Sequence, residues 1–78
     1  MGTVSYVITK SIVKVEEESI CSYGIACVEN GKQTHLIEDI STNRQLVEHA
    51  ATSFNKLELL PEHFDDAVED VVTESVAY

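Results

Sequence analysis

Apolar and polar residues change their period along this chain, and each change marks an element. From Ile20 to Glu29 the run ICSYGIACVE is apolar on two sides: Ile20, Gly24, Ala26 and Val28 share one face, and Cys21, Tyr23, Ile25 and Cys27 share the other. Such a run predicts a strand covered above and below, because a strand with one wet face alternates. Asn30-Gly31 and then KQTHLI follow. Asn-Gly between two strand-like runs predicts a type I′ hairpin, since both central residues of that turn need positive φ. Gly24 in mid-strand predicts close approach by a neighbour, a helix or an aromatic ring being the candidates.

Upstream, Thr3 to Val15 is rich in β-branched residues and free of Gly and Pro, which predicts a first strand. Val4, Tyr6, Ile8 and Ile12 share a face that Lys10 and Lys14 interrupt, while Val7, Val13 and Val15 point the other way. Either a bulge near Lys10-Ser11 exchanges the faces or both faces are partly covered, and the pattern suits both. Glu16 to Glu18 read as a solvated turn. Lys32 to Glu38 is polar enough to be an edge strand. The period then becomes helical. Leu46, Ala50 and Phe54, with Val47 and Ala51, form one stripe, with Ser41 or Thr42 as cap, Gln45 completing a capping box with Thr42, and Asn55 as the end. After Lys56 to Leu60, Pro61 opens a second helix running to about Ser75. Phe64, Ala67, Val68, Val71 and Val72 face inward; Asp65, Asp66, Glu69, Asp70 and Glu74 face out. The order β-β-β-α-α predicts an α+β class: a three-stranded antiparallel meander with an αα-hairpin on one sheet face, in a single domain spanning residues 1–78.

Composition narrows the function classes. At 44% hydrophobic and 24% charged the chain is built to fold, not to stay disordered. A chain of 78 residues buries only ~60% of its unfolded surface and gains from a partner or a metal. Fourteen acids against five bases leave −9, a field that repels nucleic acid and anionic membrane. No run reaches the ~20 apolar residues of a membrane span, and MGTVSY has neither a signal-peptide layout nor, with Tyr6 in sixth place, a myristoylation pattern. A cytoplasmic protein is expected. Cys21 and Cys27, six apart on one strand, stand ~20 Å from each other and cannot pair, so reduced thiols are expected.

Candidate chemistry is sparse. No Cys or His spacing of a zinc or calcium motif is present. The best local set is His63, Asp66 and Asp70, at i, i+3 and i+7 on one helix, and a solvated acidic face explains it more simply. Cys21 or Cys27 could meet His35 across the hairpin, but three short strands offer no cleft, so structural thiols are expected. There is no serine elbow, phosphate loop or dinucleotide fingerprint. Neither an enzyme nor a cofactor is expected. The favoured reading is a non-catalytic, acidic protein-interaction module that forms a homodimer through an uncovered sheet face, carrying Cys21, Tyr23, Ile25 and Cys27, or through a sheet edge. The alternative is a small-ligand or metal-binding sensor, or a minor enzyme, using His35, His63 and carboxylates.

Three short motifs carry a resemblance: YGI at Tyr23 to Ile25, EDIS at Glu38 to Ser41, and LPEHFDDAVED at Leu60 to Asp70. Over about residues 20 to 75 the chain resembles a family of small uncharacterised proteins from Clostridium-like Gram-positive bacteria, known as a domain of unknown function. The resemblance implies a short, stand-alone cytosolic chain with no assigned activity, cofactor or site.

Overall fold

Three antiparallel strands come first and two helices close over them, in the order expected from the sequence. A computed structural model describes the backbone of residues 3–76 and the side chains of residues 3–73. Strands β1 (Val4–Val15), β2 (Glu18–Glu29) and β3 (Lys32–Ser41) form one open sheet with β2 at its centre. Helix α1 (Arg44–Lys56), a 3₁₀ turn (Pro61–His63) and helix α2 (Phe64–Val76) follow. This is the β-β-β-α-α layout of the α+β class. Asn30 and Gly31 take φ of 53° and 80°, as a type I′ turn requires.

Which face the helices cover corrects one expectation. Ile25 and Cys27 are 1% and 0% exposed and sit in the core with Tyr6, Val47, Phe54, Phe64 and Val68. Cys21, Tyr23, Ile25 and Cys27 therefore lie on the covered side of the sheet, not on an uncovered interaction surface. Pairing Tyr6 with Cys27 and Ile8 with Ile25 gathers the large side chains on that side, where a helical layer buries the most apolar area. Cys21 alone of the four is exposed, because the β1–β2 hairpin runs on past the helices and pairs it with Ile12, itself 63% exposed.

Of the two readings left open for β1, the structure shows no bulge at Lys10-Ser11; the register irregularities lie in β3. Pairing of β1 with β2 is continuous through Lys10 and Ser11, so Val7 and Val13 point away from the helices. In β3 one bulge sets Thr34 between Gln33, opposite Val28, and His35, opposite Cys27. A second separates Ile37, opposite Ile25, from Ser41, opposite Tyr23. Within it Asp39 has φ of 55°, and its carboxylate accepts from the hydroxyl of buried Ser22. Because the strand resumes after this bulge, Ser41 still belongs to β3. The cap of α1 is thus Asn43, whose Oδ1 accepts from Leu46 N at 3.3 Å, and not Ser41 or Thr42.

At its other end α1 is closed by a Schellman motif. Leu59 N donates to Phe54 O at 3.0 Å and Glu58 N to Asn55 O at 3.2 Å, with Glu58 at φ 51°. Asn55, expected as the helix end, has another task. Its Oδ1 accepts from Tyr6 N at 2.7 Å and its Nδ2 donates to Tyr6 O at 2.8 Å. The outward backbone groups of an edge strand are satisfied there by the helix that covers it. Tyr6 Oη donates to Leu59 O at 2.6 Å, tying the connector to the same residue. Beyond it, Pro61–His63 coil as a 3₁₀ turn, so α2 begins at Phe64 and not at Pro61. The side chain of Glu74 lies outside the described residues.

Candidate functional site

The first bulge of β3 creates the one grouping of metal-ligating side chains found among the described residues. A two-residue hairpin without a bulge would set Thr34 opposite Cys27 and turn His35 to the far face. The extra residue shifts the remainder of β3 by one, and a shift of one flips every later side chain to the other side. His35 so joins Cys27 and Glu29 on the helix side. Ligand atoms of Cys27, Glu29 and His35 all lie within 4.8 Å of one another, with Cys27 fully buried and the other two half-buried. The Thr34 hydroxyl donates to Glu29 Oε2 and lies 3.1 Å from His35 Nδ1. With its proton directed to Glu29, that hydroxyl accepts from Nδ1–H, which leaves the imidazole lone pair on Nε2. Phe64 holds the ring edge-on at a centroid distance of 6.3 Å.

Tyr6 forms the inner wall of this group. Burial, and then the neighbouring Cys27 and Glu29, push its phenol up to about 12. The phenol keeps its proton in the folded state at a pH where the unfolded chain, at its ordinary value near 10, has lost it. Stability is therefore expected to be fully present below pH 10 and to fall as pH rises from 10 to about 12. Urea unfolding of metal-free protein just below pH 10 and near pH 12 checks this against Tyr6→Phe. The advantage of the wild type over the variant should shrink across that window, and an advantage independent of pH would contradict it.

The three residues singled out from the second helix do not converge. His63 ends the 3₁₀ turn, next to Glu62 at 3.8 Å, whereas Asp66 and Asp70 belong to α2. At about 3.0 residues per turn the 3₁₀ segment takes His63 out of phase with the α-helix behind it. Among the described residues these three form no cluster of ligand atoms. Cys21 lies on the exposed part of the hairpin, remote in register from His35. A small depression beside α1 is lined by Ile8, Thr9, Lys10, Tyr23 and Arg44, with no nucleophile–base pair.

The side of the sheet away from the helices is open. By register and alternation it carries Ser5, Val7, Thr9, Ser11 and Val13 from β1, Ile20 to Val28 at every second residue from β2, and Gln33 and Leu36 from β3. Val7 and Leu36, 45% and 42% exposed, flank Ala26. None of these residues is charged. Glu18 marks one border at the hairpin tip; Glu38 and Asp39 mark the other at the second bulge, where the Asp39 carboxylate reaches the Ser22 hydroxyl.

No helix among the described residues is long and apolar enough to cross a membrane. No curated protein and no solved structure matches the chain. A family model does match, over residues 2–74, so that the first strand is included along with the motifs of the hairpin and helices. The chain belongs to DUF6514, a family of unknown function.

Proposed function

We propose that this protein is a non-catalytic interaction module whose open sheet face pairs with a second copy of the chain. The observation that carries the reading is the uncharged stretch of that face around Val7, Ala26, Val28 and Leu36, in a protein of net charge −9. Nineteen ionisable acids and bases are spread over 78 residues, fourteen acids and five bases, yet this stretch holds none, the Asp39 carboxylate over Ser22 lying at its edge. Two copies meeting here bring together valines, Ile20, Leu36 and small hydroxyl residues while the acidic second helix stays on the outer side of each copy. A contact through the second helix sets acid against acid. Ala26, small and flanked by Val7 and Leu36, suits sheets stacked ~10 Å apart with those two as the interlocking side chains. A chain of this size also gains more from association than a larger one.

Sedimentation equilibrium from low to high micromolar concentration tests the reading. The expected mass is twice the 8.6 kDa of one chain. Val7→Glu and Leu36→Glu place carboxylates at positions already 45% and 42% exposed, so each should yield a folded monomer with unchanged far-ultraviolet dichroism. A wild type that stays at 8.6 kDa throughout, or a dimer indifferent to both substitutions, refutes it.

A further inference from the structure

We infer that Cys27, Glu29 and His35 form a binding site for a single divalent transition metal ion, with zinc the best match. The inference stands apart from self-association, since these residues lie on the helix side of the sheet. Three observations carry it. The ligand atoms are already gathered, all within 4.8 Å of one another. Bonds of ~2.0–2.3 Å from zinc to sulfur, nitrogen and oxygen set tetrahedral ligands roughly 3.5 Å apart, so small side-chain rotations close the set. The donors are of three kinds, a thiol, an imidazole and a carboxylate, a mixture that favours zinc, cobalt or nickel over magnesium and calcium, which take oxygen alone. Finally, the supports of a metal site are in place. Thr34 bridges His35 Nδ1 and Glu29 Oε2, fixing the tautomer that leaves Nε2 with its lone pair, and Phe64 fixes the ring plane.

The site is placed for access from one side only. Cys27 is 0% exposed and forms its floor, whereas the half-buried Glu29 and His35 form the rim by which an ion enters. On binding, the thiol proton leaves to solvent and the thiolate and carboxylate together balance the two charges of the ion. Three protein ligands leave the fourth tetrahedral position for water or an external group, the arrangement of an open site and not of a closed structural one. Occupancy would pin β2 to β3 at the bulge and stabilise the helix layer through Phe64. Metal binding and folding are coupled for this reason.

The experiment uses the whole chain, reduced, in a Cys21→Ser background so that the exposed thiol does not compete. Co²⁺ serves as the optical probe and Zn²⁺ as its competitor. One equivalent per chain should bind, with a thiolate-to-cobalt charge-transfer band that zinc abolishes. Free Zn²⁺ at 100-fold above Kd should raise Tm by about 10 °C or more. His35→Gln and Glu29→Gln alter half-buried rim positions that the fold tolerates, and each should weaken affinity at least tenfold, while His63→Ala leaves it unchanged. Binding without the sulfur band, binding indifferent to both rim substitutions, or no binding at all would each overturn the inference.

Discussion

Phe64→Ala is expected to remove ~3–5 kcal/mol of stability, the usual range for truncating a buried aromatic. A chain of 78 residues holds roughly 4–12 kcal/mol in all, so the variant should stand near its unfolding midpoint at room temperature. Phe64 is fully buried and touches three rings: Tyr6 at 5.2 Å between centroids, Phe54 at 6.2 Å and His35 at 6.3 Å. Such ring pairs add ~0.5–1.5 kcal/mol each beyond the area they bury. Its position sharpens the effect. Among the described residues of α2, Phe64 and Val68 are the buried ones, and Val72 one turn on is already 38% exposed. Removing the ring releases the helix from the sheet as well as opening a cavity. Guanidinium unfolding followed by dichroism at 222 nm should show a lower midpoint and a smaller native helical signal. Phe64→Leu, which keeps most of the volume, should lose less than half as much. An alanine variant within ~1 kcal/mol of the wild type would mean that α2 is held by something other than this contact.

How far the residues announce this arrangement depends on whether a local or a non-local force decides. Asn30-Gly31 specifies its turn through backbone sterics, and the stripe from Leu46 to Phe54 specifies α1 through helical period; both are local and both were legible. The choice of covered face was not. Ile25 and Cys27 compete with Ala26 and Val28 on apolarity alone, and the contest is decided across strands, when Tyr6 and Ile8 add their area to one side. The metal-like cluster is hidden for a related reason. Cys27 and His35 were readable as neighbours across the hairpin, yet simple hairpin counting puts His35 on the opposite side. A bulge at Thr34 reverses this, and no residue there carries the glycine that often marks one. Glu29 has no sequence signal at all, being one of fourteen acids. Asn55 looked like a helix terminator because its type suits that role, whereas its amide is spent on the edge strand.

Gly24→Ala should cost about 3 kcal/mol or more, for a reason that is wholly steric. A β-carbon at this position would stand 2.2 Å from Ile37 O and 2.8 Å from Glu38 Cα, with Thr9 Oγ1 at 3.0 Å. The sequence points to a close neighbour here, but the neighbour is the backbone of β3 and neither a helix nor a ring. That distinction sets the size of the effect. A side chain can rotate away; the carbonyl and Cα belong to the second bulge, which Asp39 holds through its bond to Ser22. Overpacking a core typically costs ~1–3 kcal/mol when side chains give way, and more when main chain must move. The lower entropy of an unfolded alanine returns only ~0.4–1 kcal/mol. Gly31→Ala is the instructive contrast, since no atom lies within 4 Å of its β-carbon and only its φ of 80° is unfavourable. That costs ~1–2 kcal/mol. Urea midpoints of the two variants, measured at one and the same protein concentration, should place Gly24→Ala clearly below Gly31→Ala. The reverse order would show that β3 can lift off β2 at the bulge, and the rigid pairing that brings Ile37 and the rest of the strand onto the helix side would have to be abandoned.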